Sequence, residues 1–183
     1  MPLYHTISTQ GFMPLFINND TSEPLPILVL GIGNILVSDE GVGVHVVDRL
    51  LEQGGVKGAK VVDGGTGGFV LLNLLHEYKQ IVLIDASNDG KSPGTVSVLR
   101  PRFVEDFPPS LSAHDIGLRD LLVGAALTGD LPDIHLITIT VKDLTQMNMK
   151  LSPEVEASID EVCTKVKSIV EILLYETKER ILV

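Results

Sequence analysis

The sequence predicts an α/β fold: a mainly parallel sheet of about five strands, covered by helices on both faces. Three observations predict it. Short, nearly all-apolar runs recur along the chain, the signature of strands buried on both faces. Segments with apolar residues at helical spacing alternate with those runs. Glycine-rich turns follow the first two runs, where strand passes into helix. In such a sheet ligands bind beyond the carboxyl ends of the strands, so the residues just after each strand are the ones to inspect.

Residues 1–26 mix Pro2, Pro14, Pro24 and Pro26 with polar residues and hold no sustained period. They read as a loosely ordered extension, with the stretch 12–16 able to dock on the body through Phe12 and Phe16. Residues 27–33 (ILVLGIG) are the first strand. Residues 39–53 set Val42, Val46, Val47, Leu50 and Leu51 at helical spacing, and Gly54-Gly55 stops that helix. A second strand covers 60–63 and a second helix 67–78. Residues 80–86 (QIVLIDA) are the third strand, and a turn-rich SNDGKSPG follows. Residues 95–100 alternate like a strand exposed on one side. A proline-rich loop over 101–113 leads to a helix over 114–127 and a strand over 134–141. The last helix spans 152–178, with Val155, Ile159, Val162, Val166, Ile169 and Leu173 stepping by four and three. Ser152-Pro153-Glu154 is its start signal. No internal repeat and no dividing linker interrupts 27–183, which reads as one domain.

Composition excludes several partners. The 183 residues carry 24 acidic and 14 basic side chains, a formal charge of −10. That balance argues against the phosphate backbone of nucleic acid and against anionic lipid. The single cysteine, Cys163, has no partner for a disulfide and builds no thiolate zinc site alone, which fits a reducing compartment. No apolar run reaches the roughly 18 residues of a spanning helix. The N-terminus lacks the pattern of a secretory signal. A cytoplasmic monomer without membrane insertion is expected.

Chemistry-bearing residues gather at the predicted strand ends. After the first strand comes GIGNILVSDEGVG. Gly31 and Gly33 match the first two glycines of a dinucleotide-binding turn, but Leu36 stands in the third position. Asp39 and Glu40 would repel a pyrophosphate, so stabilisation by NAD or ATP is not expected. The plainer reading of this acid pair is capping of a helix N-terminus. Asp63 ends the second strand before GGTGG, either as a turn residue or as a functional acid. Asp85 ends the third strand at the sheet rim, where a carboxylate is costly to desolvate unless paired or metal-bound. His114 opens a helix in SAHDIGL, as a surface residue or a ligand. Taken together, Glu40, Asp63, Asp85 and His114 share one sheet edge. Two carboxylates and an imidazole make an oxygen and nitrogen ligand set for a divalent transition metal. His45, His76 and His135 fall inside elements and are weaker candidates, and Cys163 reads as packing. No G-x-S-x-G nucleophile elbow joins a strand to a helix, and no H-E-x-x-H pair occurs.

In order along the chain, LGIGNILVSDEGVGVHVV, DGGTGG, LIDAS, SPGTV, SAHDIGL and LSPEVEASID resemble the nickel–iron hydrogenase maturation endopeptidases over about 27–175. The resemblance implies an α/β sandwich of three layers around a twisted sheet. It implies a hydrolase, of aspartyl or metallo type, that removes a short C-terminal peptide from a hydrogenase large-subunit precursor after nickel insertion. It places the family's metal ligands on Glu40, Asp85 and His114, with nickel supplied by the substrate and other divalent cations able to substitute. Asp39 and Asp63 match further acids of the family near that site and are the candidate general bases. A non-catalytic factor that binds nickel and precursor is the alternative.

Overall fold

The computed structural model describes residues 27–66, 68, 71–108, 110–111, 118–142, 144 and 147–181. The expected extension over 1–26 and His114 lie outside these residues. Five strands form one sheet: β1 (Ile27–Gly31), β2 (Ala59–Asp63), β3 (Gln80–Ser87), β4 (Val96–Leu99) and β5 (Asp133–Thr140). Their order is β2-β1-β3-β5-β4. All neighbours are parallel except β4, which runs antiparallel to β5. That order explains the composition of each strand. β1 and β3 are flanked on both sides and covered on both faces, so they are apolar almost throughout. β2 and β4 are edges and are only partly buried.

Two helical layers cover the sheet. On one face α1 (Val42–Glu52), α4 (Pro153–Glu156) and α5 (Ile159–Ile181) pack Val46, Leu50, Val155, Val162, Val166 and Val170 against Ile27, Val29, Val82 and Ile84. On the other, α2 (Leu72–Glu77) and α3 (Leu118–Thr128) pack Leu75, Leu121, Leu122 and Ala125 against Leu28, Leu30, Ile81 and Leu83. Strand alternation sends odd and even residues to opposite layers. The path through α1 runs from β1 out to β2, and the path through α2 returns past β1 to β3. Connections in opposite directions place their helices on opposite faces. The direction therefore changes between β1 and β3, and the crevice beyond their carboxyl ends is the topological switch point.

α1 stops where the two glycines predict. The Gly55 amide donates to the Leu50 carbonyl at 2.8 Å and the Gly54 amide to Leu51 at 3.0 Å, with both glycines left-handed. This is a Schellman cap. The expected final helix is two. After α4 the chain tightens at Ser158, whose amide and hydroxyl both donate to the Val155 carbonyl, at 3.0 and 2.7 Å. α5 restarts at Ile159 with the apolar stripe still facing the sheet. Among the described residues no helix is long and apolar enough to cross a membrane.

Candidate functional site at the switch point

The segment from β1 to α1 is compressed against the sheet, and its glycines are the reason it fits. A Cβ on Gly31 would overlap the Gly43 carbonyl oxygen, and one on Gly43 would overlap the carbonyls of Ile32 and Ile84. A Cβ on Gly33 would overlap the Glu40 carbonyl. The space that glycines free for a pyrophosphate in dinucleotide-binding turns is here filled by the chain's own carbonyls. The glycines thus serve to press a 3-10 turn, Ser38–Gly41, onto the end of β3.

That turn carries Asp39 and Glu40. Both are buried, Glu40 at 5% exposure. Asp85, also fully buried, sits near the end of β3, and one of its carboxylate oxygens accepts the Ala86 amide at 2.8 Å. Contact between the turn and β3, with Gly43 against the Ile84 carbonyl, sets the turn that carries Glu40 beside the strand that carries Asp85. The chain buries three acids here beside a largely apolar core, which a folded domain tolerates only where they are hydrogen-bonded or meet a cation.

Asp39 differs from its neighbour in its surroundings. Its Oδ1 accepts the Ser152 amide at 2.6 Å. Its Oδ2 accepts the Ser152 hydroxyl at 2.9 Å and the Lys142 amide at 3.0 Å. Ser152 precedes α4 and Lys142 follows β5, so neither is local to the turn. Sequence reasoning read Ser152 only as a helix start. Nothing in the local pattern marks it as a partner of Asp39.

Asp63 reaches the same sheet edge from β2 but is exposed, and its Oδ1 accepts the Gly65 amide at 2.7 Å. It pairs in register with Gly31, which pairs with Ile84. Asp63 shares the parity of Val61, on the α1 side, and Asp85 that of Leu83, on the α2 and α3 side. The two acids thus leave the sheet from opposite faces. Consistently, Asp63 acts on α1: burial first, then the Asp63 charge, raises the Asp48 carboxyl above its ordinary value, and His45 partly opposes them.

The loop after β1 is also stitched to its neighbours. The Gly33 amide donates to Gly65 and the Gly64 amide to Gly31, each at 2.8 Å. The Ser38 amide donates to Asn148 at 2.6 Å, and Asn148 donates back to Leu36 at 3.1 Å. Among the described residues no group of three or more His, Cys, Asp or Glu side chains is arranged to hold a metal ion. His114, the nitrogen donor of the expected ligand set, is outside them.

Fold and site together define an α/β protein with buried carboxylates at the switch point of its parallel strands. The family model described as hydrogenase maturation protease matches residues 44–169. The chain is 34% identical over 137 residues to the hydrogenase 2 maturation protease of Escherichia coli K12, covering 73% of this chain and 84% of that one. It is 36% identical over 142 residues to the hydrogenase expression/formation protein HupD of Rhodobacter capsulatus, covering 75% and 68%. The structure of the hydrogenase maturating endopeptidase HybD from E. coli superimposes with a TM-score of 0.69 at 32% identity, covering 79% and 91%. The NiFe hydrogenase maturation protease HybD of Thermococcus kodakarensis does so at 0.66 and 29%, covering 79% and 98%. This chain belongs to the hydrogenase maturation protease family.

Proposed function

We propose that the protein is an endopeptidase that removes the C-terminal peptide of a nickel-containing hydrogenase large-subunit precursor once nickel is in place. The observation that carries this reading is the contact of the buried turn bearing Glu40 with β3, the strand that bears the buried Asp85, in a chain of this protease family. Nickel is here the substrate's cargo. Glu40, Asp85 and His114 would complete its coordination, with donor types suited to a divalent transition metal. Such recognition makes cleavage depend on metallation, because the scissile segment is held in place only when nickel is present.

Peptide hydrolysis then needs an activated water. A divalent cation lowers the pKa of bound water and polarises a carbonyl. Asp63, exposed at the same edge, is the alternative source of base catalysis. The rim around the turn suits a polypeptide. Leu36, Met147 and Met149 are exposed on the two segments joined through Asn148, next to the Glu40 turn.

The deciding experiment is incubation of the purified protein with precursor, with and without nickel, followed by intact-mass measurement. The expected result is loss of a C-terminal peptide only from the nickel-loaded precursor. A stable complex without a mass change would assign the chain as a nickel- and precursor-binding factor instead.

A further inference from the structure

We infer that Asp39 is a positioning residue: its carboxylate clamps the turn bearing Glu40 to the segment between β5 and α4, and so holds Glu40 in place beside β3. The inference rests on the reading of Glu40 as a ligand of the substrate's nickel. Three donors converge on a fully buried carboxylate, from Ser152 twice and from Lys142. An ionised carboxylate offers about four lone-pair sites, so most of its accepting capacity is taken. Those three bonds commit the carboxylate to holding the turn, which is the work of a positioning residue.

The turn also requires holding. Ser38 has φ +44°, a left-handed conformation that L residues rarely adopt. Such strain persists only where the surroundings over-determine it. Here the Ser38 amide donates to Asn148 at 2.6 Å and its hydroxyl to the Lys150 carbonyl at 3.0 Å. Ser38 and Asp39 therefore fasten the turn to the same stretch, residues 142–152, from two directions. Glu40 follows directly, so a slackened clamp moves the proposed ligand.

The test compares Asp39→Asn, Ser152→Ala and Ser152→Thr with the parent chain. Cleavage of nickel-loaded precursor is followed against substrate concentration and pH, and amide hydrogen exchange is followed at Glu40 and Gly41. Supporting partners of metal ligands contribute about 10- to 100-fold in activity. Asp39→Asn is expected to lower kcat by about that factor. Ser152→Ala, which keeps the backbone donor, should lose about tenfold. KM and the shape of the pH profile should be unchanged in both, and the two amides should exchange faster. Ser152→Thr, which restores the hydroxyl, should recover activity. Loss of the acidic limb in Asp39→Asn, with Ser152→Ala behaving as the parent, would make Asp39 a base and overturn the inference. So would unchanged exchange at Glu40 in both clamp variants. If the parent chain leaves the precursor uncut, the proposed function fails, and the exchange comparison still decides the clamp.

Discussion

Gly31 and Gly43 pack so closely that neither has room for a Cβ: one on Gly31 would overlap the Gly43 carbonyl, and one on Gly43 the Ile84 carbonyl. The atoms in the way are backbone, which does not rotate aside. Gly43→Ala is therefore expected to destabilise the fold by at least the ~1–3 kcal/mol of core overpacking. Gly124→Ala is the control. It lies inside α3 with only ordinary contact to Leu72, and should stabilise by about 0.5–1 kcal/mol through helix propensity. Urea unfolding of both variants checks the pair. Equal stability of the two would show that the close approach does not constrain the fold.

Glu40→Gln and Asp85→Asn test the proposed site. Each preserves shape while removing a charge and ligand strength, so processing of a nickel-loaded precursor should fall by more than about 100-fold. Circular dichroism should remain that of the parent. His114→Ala should behave likewise if the resemblance assigns the third ligand correctly. Undiminished cleavage by all three would remove the site from these residues.

His135 makes stability depend on pH. Its Nε2 is buried and has no hydrogen-bond partner among the described residues. Burial first, then repulsion from Arg100, lowers its pKa below the ordinary 6.5, against an opposing pull from Asp133 and Glu176. The fold thus favours the neutral ring. The unfolded chain takes up the proton first as pH falls, so the stabilisation is present above 6.5 and is lost between 6.5 and the lower folded value. His135→Val should flatten the fall in urea midpoint between about pH 7 and 5.5. An identical slope in both proteins would count against His135 as its source.

Cys163 should be a slow thiol. It is buried, its Sγ rests 4.0 Å from the Val46 carbonyl, and burial first, then Asp160, pushes its pKa up. Reaction with a disulfide reagent at neutral pH should follow unfolding rather than precede it. A fast stoichiometric reaction in the folded protein would contradict this.

Much of the fold was legible because the sheet's interior strands leave no choice of residue. β1 and β3 are apolar nearly end to end, and α5 shows its stripe from Ile159 to Leu173. The Gly54-Gly55 stop was a local signal and lies where it was read. What stayed hidden depends on partners remote in sequence. The antiparallel run of β4 is set by its pairing with β5, and the break before α5 by two hydrogen bonds to one carbonyl. Asp39 and Glu40 looked alike as an acid pair near a helix start. Only the return of Lys142 and Ser152 separates them, and only the register shows Asp63 and Asp85 on opposite faces.

The Asp39 contacts span 103 and 113 residues of chain. A ribosome-bound fragment ending before Lys142 would already contain Glu40 and Asp85, yet it would lack the Lys142 and Ser152 donors that clamp the Glu40 turn. Competence would arrive late in synthesis, with the segment leading into α4. A half-made protease would then be an inert one, unable to act before its own folding is complete.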